Sequence, residues 1–307
     1  MNKIAFVFSG QGSQYVGMGK ELYENYDCAK TVFDKLDKNI LNLCFNGPEN
    51  SLSTTINTQP AILAHSIASC LVLQKFGIEA ETTLGFSLGE YSALVISGAI
   101  SFEDCLNLVE KRAVLMNDAV KDIDSTMYAV IGLNYDQVRD IISDDVEICN
   151  YNTKTQIVIG GARNKLKEVV KRFPSEAKLV ELNVSGAFHS SVLDNASLEF
   201  KKVIDCYEFK EPATKVMSNY TGNYYGKIDK DILVKQMNNT VRFYENIKQL
   251  LDDGYNTFIE FGPGKVISSF IKTIGRELKV KPIVLNVEDI KSLNKTLEKL
   301  EVSDVKK

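Results

Sequence analysis

Short apolar runs alternate along this chain with longer segments in which apolar residues recur every three to four positions. The short runs predict buried strands at 4–8, 82–86, 215–218 and 257–261. The longer segments predict helices at 60–76, 88–97, 102–120, 189–204 and 243–252. Because strands alternate with helices, the pattern predicts an α/β protein built on a largely parallel sheet.

A block in the middle of the chain has a different order. Between residues 127 and 182 the segments read strand, helix, strand, strand, helix, strand. This βαββαβ order is typical of the split βαβ, or ferredoxin-like, unit. We therefore predict a small ferredoxin-like subdomain at 125–187, inserted into a larger part formed by 1–124 and 188–307.

Composition narrows the class of protein. The chain has 307 residues, of which 44% are hydrophobic and 25% charged, as in an ordinary soluble protein of about two domains. A net charge of −4 argues against nucleic acid as a partner. No apolar run has the length of a membrane span, and the opening run IAFVF is too short for a secretory signal. The six cysteines lack metal-ligand spacing, so we expect a cytoplasmic protein without a metal site.

The clearest candidate for chemistry is Ser87, in the stretch GFSLG. Gly85 and Gly89 give the G-x-S-x-G spacing of a nucleophile elbow, in which a tight strand-to-helix turn exposes the serine hydroxyl. The N-terminus of the following helix would offer N–H groups to an oxyanion. A serine at this place could equally cap the helix, and the motif alone leaves both readings open.

A nucleophilic serine needs a base, and the chain has two histidines. His65 lies within an apolar helical segment, which favours a packed core residue. His189 follows the loop SGAF and is predicted to open a helix, so its ring can face a cleft. If there is a base, we expect it to be His189.

Arg112 is a second unusual residue. It falls on the buried stripe of the helix at 102–120, among apolar neighbours. A guanidinium that faces inward needs an anion, because an unpaired buried charge is very costly. The anion could be a structural carboxylate of the protein or the carboxylate of a substrate.

Two glycine patterns do not fit cofactor motifs. After Gly10 and Gly12, a dinucleotide-binding fingerprint requires a third glycine at the position of Tyr15. The stretch GPGKV has Val266 where a phosphate loop requires serine or threonine. We therefore expect no nucleotide cofactor.

Seven segments together resemble one family, the malonyl-CoA–acyl carrier protein transacylases of fatty acid synthesis, which are related to the acyltransferase domains of polyketide synthases. In chain order they are FSGQGSQYVGMG, GFSLGEYSAL, KRAVLMNDAV, NYNTKTQIVIGG, GAFHS, QMNNTVRF and EFGPGKV. The resemblance covers nearly the whole chain and implies an α/β-hydrolase-like core with the ferredoxin-like subdomain.

The resemblance also implies residue roles. Ser87 would attack the malonyl thioester and His189 would take its proton. The remaining implied roles are the oxyanion hole from the N–H groups of Gln11 and Leu88, orientation of the histidine by the main-chain carbonyl of Gln236, binding of the malonyl carboxylate by Arg112, and lining of the cleft by Asn152 and by Phe188 of the GAFH motif.

The expected function is transfer of malonyl from malonyl-CoA to the phosphopantetheine thiol of acyl carrier protein, through a malonyl-serine intermediate. Coenzyme A enters as the substrate thioester, and no further cofactor is implied. We expect a cytoplasmic monomer whose carrier docks on a basic patch, because the carrier is acidic. The candidate patch comprises Lys265, Lys272, Arg276, Lys279 and Lys281.

Two positions depart from the family pattern, and three other functions stay open. Phe86 stands where many members have histidine, and Ser9 where proline is common. The same motifs fit a discrete acyltransferase of a polyketide assembly line. A serine thioesterase or hydrolase would use the same elbow with an acidic third residue. A non-catalytic binding module would require the serine and histidine to coincide by accident.

Overall fold

The computed structural model describes residues 3–143 and 145–302; positions 1, 2, 144 and 303–307, which the predicted domains include, lie outside the described residues. The first part of the chain forms β1 (Lys3–Phe8), α1 (Lys20–Asn25), α2 (Asp27–Phe33), α3 (Lys38–Asn46), α4 (Glu49–Leu52), α5 (Thr55–Gln74), β2 (Thr82–Gly85), α6 (Gly89–Ile96) and α7 (Phe102–Val120). The middle part forms β3 (Ser125–Ile131), α8 (Tyr135–Ile141), β4 (Val146–Thr153), β5 (Gln156–Ala162), α9 (Arg163–Val169) and β6 (Lys178–Glu181). The last part forms α10 (Asp194–Ile204), β7 (Lys215–Val216), α11 (Lys230–Asn238), α12 (Phe243–Asp252), β8 (Tyr255–Phe261), α13 (Val266–Glu277), β9 (Ile283–Val287) and α14 (Ile290–Lys299).

The larger sheet is parallel and buried on both faces. Its strand order is β7-β2-β1-β8-β9, and every pairing is parallel. Along β1, Phe6 and Phe8 pack into one hydrophobic cluster, whereas Ala5 and Val7 pack into another on the opposite face. Alternate side chains of a strand point to opposite faces, so helices cover the sheet on both sides. The carboxyl ends of β1 and β2 lie side by side, which brings the loops after them together.

The smaller sheet confirms the predicted split βαβ order. Its strands run β4-β5-β3-β6 and every pairing is antiparallel. The predicted fold class, a parallel α/β core with an inserted antiparallel subdomain, is therefore confirmed. The four strands extend from Ser125 to Glu181, inside the predicted range 125–187.

Two helices begin at positions that differ from the prediction. Helix α5 begins at Thr55, before the predicted start at Pro60, so the proline lies inside the helix and leaves one backbone hydrogen bond unmade. Burial of α5 along most of its length outweighs that cost. Helix α10 begins at Asp194, after a short 3-10 turn at Ser191–Leu193, so the prediction that His189 opens a helix is wrong. The backbone of His189 has a φ of 61°, which an α-helix cannot contain.

Helix α5 is the one helix among the described residues that is long and apolar enough to cross a membrane. In the fold, 83% of its apolar window is buried inside the protein. It packs mainly against α7 and α2 and forms the centre of the core. All six cysteines are free, and Cys44, Cys70, Cys105 and Cys149 are buried.

Candidate active site

Ser87 lies on the turn between β2 and α6, where the chain reverses within a few residues. Its φ is 52°, a left-handed conformation that is strained for a residue with a side chain. A Cβ on Gly85 would lie 1.7 Å from the carbonyl carbon of Gly89, and a Cβ on Gly89 would lie 2.1 Å from the main-chain oxygen of Phe8. Only glycine fits at either position, so the two glycines permit the turn that presents the Ser87 hydroxyl.

The structure brings His189 to this hydroxyl from 102 positions along the chain. Ser87 Oγ lies 2.7 Å from His189 Nε2. On the other side of the ring, Nδ1 lies 2.8 Å from the main-chain oxygen of Gln236. Because a carbonyl oxygen only accepts hydrogen bonds, Nδ1 carries the proton and Nε2 is left to accept the proton of Ser87. The serine, the imidazole and the carbonyl thus form a proton-accepting chain.

His189 is buried, and its surroundings disfavour the imidazolium form. Burial, and then the positive charge of Arg112, lower the pKa of His189 from 6.5 to about 3, although the hydrogen bond to Gln236 opposes this. The free enzyme therefore holds this histidine neutral, as a base must be, across the whole range near neutral pH.

The loops after β1 and β2 pass very close to each other beside Ser87. A Cβ on Gly10 would lie 2.6 Å from the main-chain oxygen of Phe86. Within the described residues, the backbone N–H groups of Gln11 and Leu88 donate no hydrogen bond to other protein groups. Two free N–H groups on adjacent loops next to a nucleophile are the requirement for an oxyanion hole.

Arg112 reaches the same point from α7. It is 1% exposed. Its guanidinium donates to Gln59 Oε1 at 2.7 Å, to Gln236 Oε1 at 3.2 Å and to Ser87 Oγ at 3.3 Å. These partners are neutral, and its Nε has no partner. Among residues 3–143 and 145–302, no carboxylate forms an ion pair with Arg112. Of the two anions left open by the sequence, a structural carboxylate in direct contact is not found in the described part of the chain; the buried carboxylate of Glu90 acts on Arg112 through space, without an ion pair.

The profile of the acyl transferase domain family matches residues 5–300 of this chain. The malonyl CoA-acyl carrier protein transacylase of Bacillus subtilis is 41% identical over 296 residues, which are 91% of this chain and 92% of the relative. The chain belongs to the malonyl CoA-acyl carrier protein transacylase family.

Solved structures agree with this assignment. The crystal structure of the malonyl CoA-acyl carrier protein transacylase from Clostridium perfringens is 40% identical, has a TM-score of 0.92 and covers 97% of each chain. The acyltransferase domain from the second module of the salinomycin polyketide synthase is 26% identical, with a TM-score of 0.92, and covers 100% of this chain and 75% of that one. The predicted relation to polyketide synthase domains is thus confirmed.

Asn152 and Phe188, predicted from the transacylase family to line the cleft, are both buried. Asn152 lies on β4 and is 4% exposed, and its Oδ1 has no hydrogen-bond partner. Strand β4 is joined to the segment after α11 by a bridge between Asn150 and Val241. Phe188 is 6% exposed and directly precedes His189. Their role in lining the cleft stays a prediction.

Phe86, which replaces the histidine found in many family members, is part of an aromatic cluster. Its ring centroid lies 5.4 Å from that of Phe243 and 6.1 Å from that of Phe270. The position beside the nucleophile is therefore apolar in this member of the family. Ser9, the other departure, is buried and lies near the carboxylate of Glu260, at 3.4 Å.

His65 lies apart from the Ser87 site. It is fully buried, neither ring nitrogen has a hydrogen-bond partner, and its ring packs edge-on against Phe33 at a centroid distance of 6.4 Å. Burial lowers the pKa of His65 to about 4, so it is neutral. The structure places it where the sequence analysis expected, in the core.

Two residues near Ser87 were missed from sequence. Asn219 accepts the N–H of Ser87 on its Oδ1 at 2.7 Å, and Glu90 is a fully buried carboxylate one turn further along α6. Glu90 is the single charged residue in GEYSALVI, and that isolation within an apolar helix was an available signal. Asn219 follows the short strand β7 and offered no comparable signal.

Proposed function

We infer that Ser87 carries the malonyl group as a covalent ester during the reaction. The chain is a malonyl-CoA:acyl carrier protein S-malonyltransferase, which supplies malonyl units for fatty acid synthesis. The observation that carries the residue assignment is the meeting of three groups at one oxygen. Ser87 Oγ lies 2.7 Å from a neutral imidazole nitrogen and 3.3 Å from a buried guanidinium that lacks a carboxylate partner among the described residues.

In the first half-reaction, the Ser87 hydroxyl gives its proton to Nε2 of His189 while Oγ attacks the thioester carbonyl carbon of malonyl-CoA. The carbonyl oxygen becomes an oxyanion, which the N–H groups of Gln11 and Leu88 stabilise. When the tetrahedral intermediate collapses, the carbon–sulfur bond breaks and the coenzyme A sulfur takes the proton back from Nε2. The products are malonyl-Ser87 and coenzyme A.

The second half-reaction runs the same steps with the carrier. The phosphopantetheine thiol gives its proton to His189 and attacks the malonyl ester, and Ser87 leaves and is reprotonated. His189 is oriented by the Gln236 main-chain carbonyl at 2.8 Å, so among the described residues no carboxylate takes the place of the third residue of a Ser-His-Asp triad.

Arg112 would select malonyl over acyl groups without a carboxylate. A planar guanidinium binds a carboxylate bidentately, and a buried one does so without competition from water. Pairing with the malonyl carboxylate would also neutralise the charge that lowers the pKa of His189. Binding of malonyl would thereby strengthen the base at the moment it is needed.

Labelling of the intact protein tests the covalent step. Mixed with malonyl-CoA in the absence of carrier, the enzyme should take up one malonyl group on Ser87, detected by mass spectrometry of the protein and of its peptides. Ser87→Ala should take up none, because removal of a nucleophile leaves only weak residual catalysis. A malonyl group found on another residue of the wild-type enzyme would refute the mechanism.

We also propose a docking surface for the carrier on and after α13. The surface consists of five exposed basic residues: Lys265, Lys272, Arg276, Lys279 and Lys281. A Cβ on Gly264, just before this helix, would lie 3.6 Å from Cβ of Ser13 in the loop that carries Gln11, so the start of the helix lies close to that loop. Such a surface suits an acidic carrier protein.

The two half-reactions separate docking from catalysis. The double variant Lys272→Glu, Arg276→Glu should raise KM for acyl carrier protein about tenfold, because rim charges govern encounter with a charged partner. Acylation by malonyl-CoA alone should not change. Lys171→Glu, an exposed residue of the smaller sheet region, serves as the control. An unchanged KM for the carrier in the double variant would show that the carrier docks elsewhere.

The remaining assignments are proposals of the same kind. We propose that the protein acts in the cytoplasm as a monomer, and that residues 125–187 form one unit against 1–124 and 188–307. The continuous antiparallel sheet from Ser125 to Glu181 supports that division. Sedimentation of the purified protein would test the oligomeric state.

A further inference from the structure

Glu90 is a buried carboxylate that the reaction steps above do not use. It lies on α6 and is fully buried. It accepts hydrogen bonds from Tyr225 Oη at 2.6 Å, from the backbone N–H of Asn219 at 3.1 Å and from Gln236 Nε2 at 3.1 Å. Among the described residues no lysine, arginine or histidine forms an ion pair with it. Arg112 acts on it only through space, and a buried carboxylate that accepts hydrogen bonds only from neutral donors is costly for folding, which indicates that it serves the site beside it.

Two of the three donors also hold Ser87. Gln236 Nε2 donates to the main-chain oxygen of Ser87 at 2.7 Å, and Asn219 Oδ1 accepts the main-chain N–H of Ser87 at 2.7 Å. The peptide groups on both sides of the nucleophile are thus held by residues that Glu90 binds. Ser87 needs such support, because its φ of 52° is strained and persists only where the surroundings determine it.

The orientation of the Gln236 amide depends on this carboxylate. Its NH₂ group faces Glu90 and the oxygen of Ser87, and its Oε1 accepts from Arg112 at 3.2 Å. A flipped amide would set its NH₂ group against the guanidinium, donor against donor. The main-chain oxygen of the same residue orients His189 at 2.8 Å. One residue therefore contacts nucleophile, base and guanidinium, and Glu90 determines which way its side chain points.

We propose that Glu90 is a positioning residue of this enzyme. Its ionised carboxylate acts through the side chain of Gln236 and the backbone of Asn219 to hold Ser87 in its strained, reactive conformation. The proposal rests on the proposed function, because it presumes that Ser87 is the nucleophile.

Because the role of Glu90 requires its carboxylate to be ionised, the rate of Ser87 acylation should depend on pH. Burial raises the pKa of Glu90 to about 7, against the opposing effects of Tyr225, Asn219, Gln236 and Arg112. The titratable and charged groups facing it are Arg112 from α7, Tyr225 from the loop after β7 and Tyr91 on its own helix. Burial raises the pKa values of both tyrosines, so neither they nor the arginine titrates near neutrality.

The hydrogen bonds of Glu90 determine whether the acylation rate rises or falls with pH. Oε1 of Glu90 accepts from Tyr225, and Oε2 accepts from both Asn219 and Gln236. Above pH 7 all three bonds are made to an anion. The protonated acid carries its proton on Oε1 toward the Tyr225 hydroxyl, and its neutral Oε2 holds Asn219 and Gln236 more weakly. Acylation should therefore be fastest above pH 7 and decline as the pH falls through it. We do not expect His189 to produce this step, because burial is the larger cause of its lowered pKa and persists when malonyl pairs with Arg112.

The test is single-turnover acylation of Ser87 by malonyl-CoA between pH 5 and 9, followed by rapid quenching and intact-protein mass spectrometry. The wild-type rate should show a step near pH 7. Glu90→Gln should lower the rate at pH 8 about tenfold or more and remove the step. Tyr225→Phe keeps the carboxylate but removes the bond that lowers its pKa, so its step should move to higher pH.

Glu260→Gln is the matched control. Glu260 is also fully buried, burial also raises its pKa to about 7, and it binds the N–H groups of Ile267 and Ser268 at the start of α13. Glu260→Gln should therefore keep the step in the acylation rate near pH 7. Equal profiles for the wild type and Glu90→Gln would overturn the proposal, as would a wild-type rate that is flat from pH 5 to 9.

Tyr225→Phe keeps the test decisive if Glu90→Gln does not fold. An unmoved step in Tyr225→Phe would then overturn the role of Glu90. A wild-type enzyme that takes no label at all would instead overturn the proposed function, so the two failures are distinguishable.

Discussion

Replacing Arg112 by alanine removes a guanidinium that is 1% exposed and whose hydrogen-bond partners are all neutral. Part of the resulting loss of kcat/KM is the same for every acyl donor. The variant leaves Gln59 Oε1 and Gln236 Oε1 without the donor each now has, at about 1–3 kcal/mol for each buried acceptor left unsatisfied. Against this, removal of the positive charge relieves the lowering of the pKa of His189 and makes it a better base.

The rest of the loss of kcat/KM in Arg112→Ala applies to malonyl-CoA alone. Truncating one partner of a buried charged pair costs about 2–5 kcal/mol, which is roughly 30- to 4,000-fold in kcat/KM. Acetyl-CoA has no carboxylate to lose. The ratio of kcat/KM for malonyl-CoA to that for acetyl-CoA should therefore fall at least roughly 30-fold in Arg112→Ala, whatever the common loss is.

The assay is acylation of Ser87 by each donor in a variant whose folding is checked by circular dichroism and thermal unfolding. Arg112→Lys should recover part of the malonyl rate, because an ammonium cannot reproduce the planar fork of the guanidinium. Arg139→Ala, an exposed arginine of the smaller sheet region, should leave both donors unchanged. An equal fall for malonyl and acetyl would mean that Arg112 is structural, and the assignment of specificity would be refuted.

Two further predictions concern the base and the turn. His189→Ala should slow acylation about 10²- to 10⁴-fold, the usual contribution of a general base, whereas His65→Leu should fold and keep most of the activity; the reverse result would show that the wrong histidine was chosen. Gly89→Ala should destabilise the protein by about 4 kcal/mol or more, since a Cβ there would lie 2.1 Å from a main-chain oxygen. Gly226→Ala, where a Cβ meets nothing within 4 Å, should change the free energy of unfolding by about 0.5 kcal/mol or less in urea titrations, and equal costs for both glycines would contradict the argument.

Local pattern predicted only part of the fold, because the helices α1, α2, α3, α4, α11, α13 and α14 were not predicted. Helix α7 has the bounds 102–120 that its periodicity indicates, and its first residue follows a Ser101 side chain that accepts from the N–H of Asp104. The order of the small antiparallel sheet was also readable, because each strand and helix in it has its own hydrophobic period. The edge strand β9, half-exposed and short, was not predicted.

Some residues of the site also have a local signal in the sequence, whereas others do not. Ser87 could be found from sequence because the turn needs Gly85 and Gly89 within two positions of it, and Arg112 because a charge interrupts a buried stripe. The family resemblance then supplied the roles of Gln11, Leu88, Gln236, Asn152 and Phe188, which no local pattern contains.

The sequence by itself determined the order of the smaller sheet, four strands of the larger one, which turn exposes a serine, and that one arginine is buried. Tertiary structure alone decided what surrounds these groups. The side chain of Asn219 meets Ser87 across 132 positions of the chain, and the backbone of Asn219 meets the carboxylate of Glu90 across 129. The pKa of His189 falls because burial and Arg112 act on it together. Periodicity reports the face on which a side chain lies. Hydrogen bonds and electrostatic fields depend on segments that only folding brings within a few ångströms of one another.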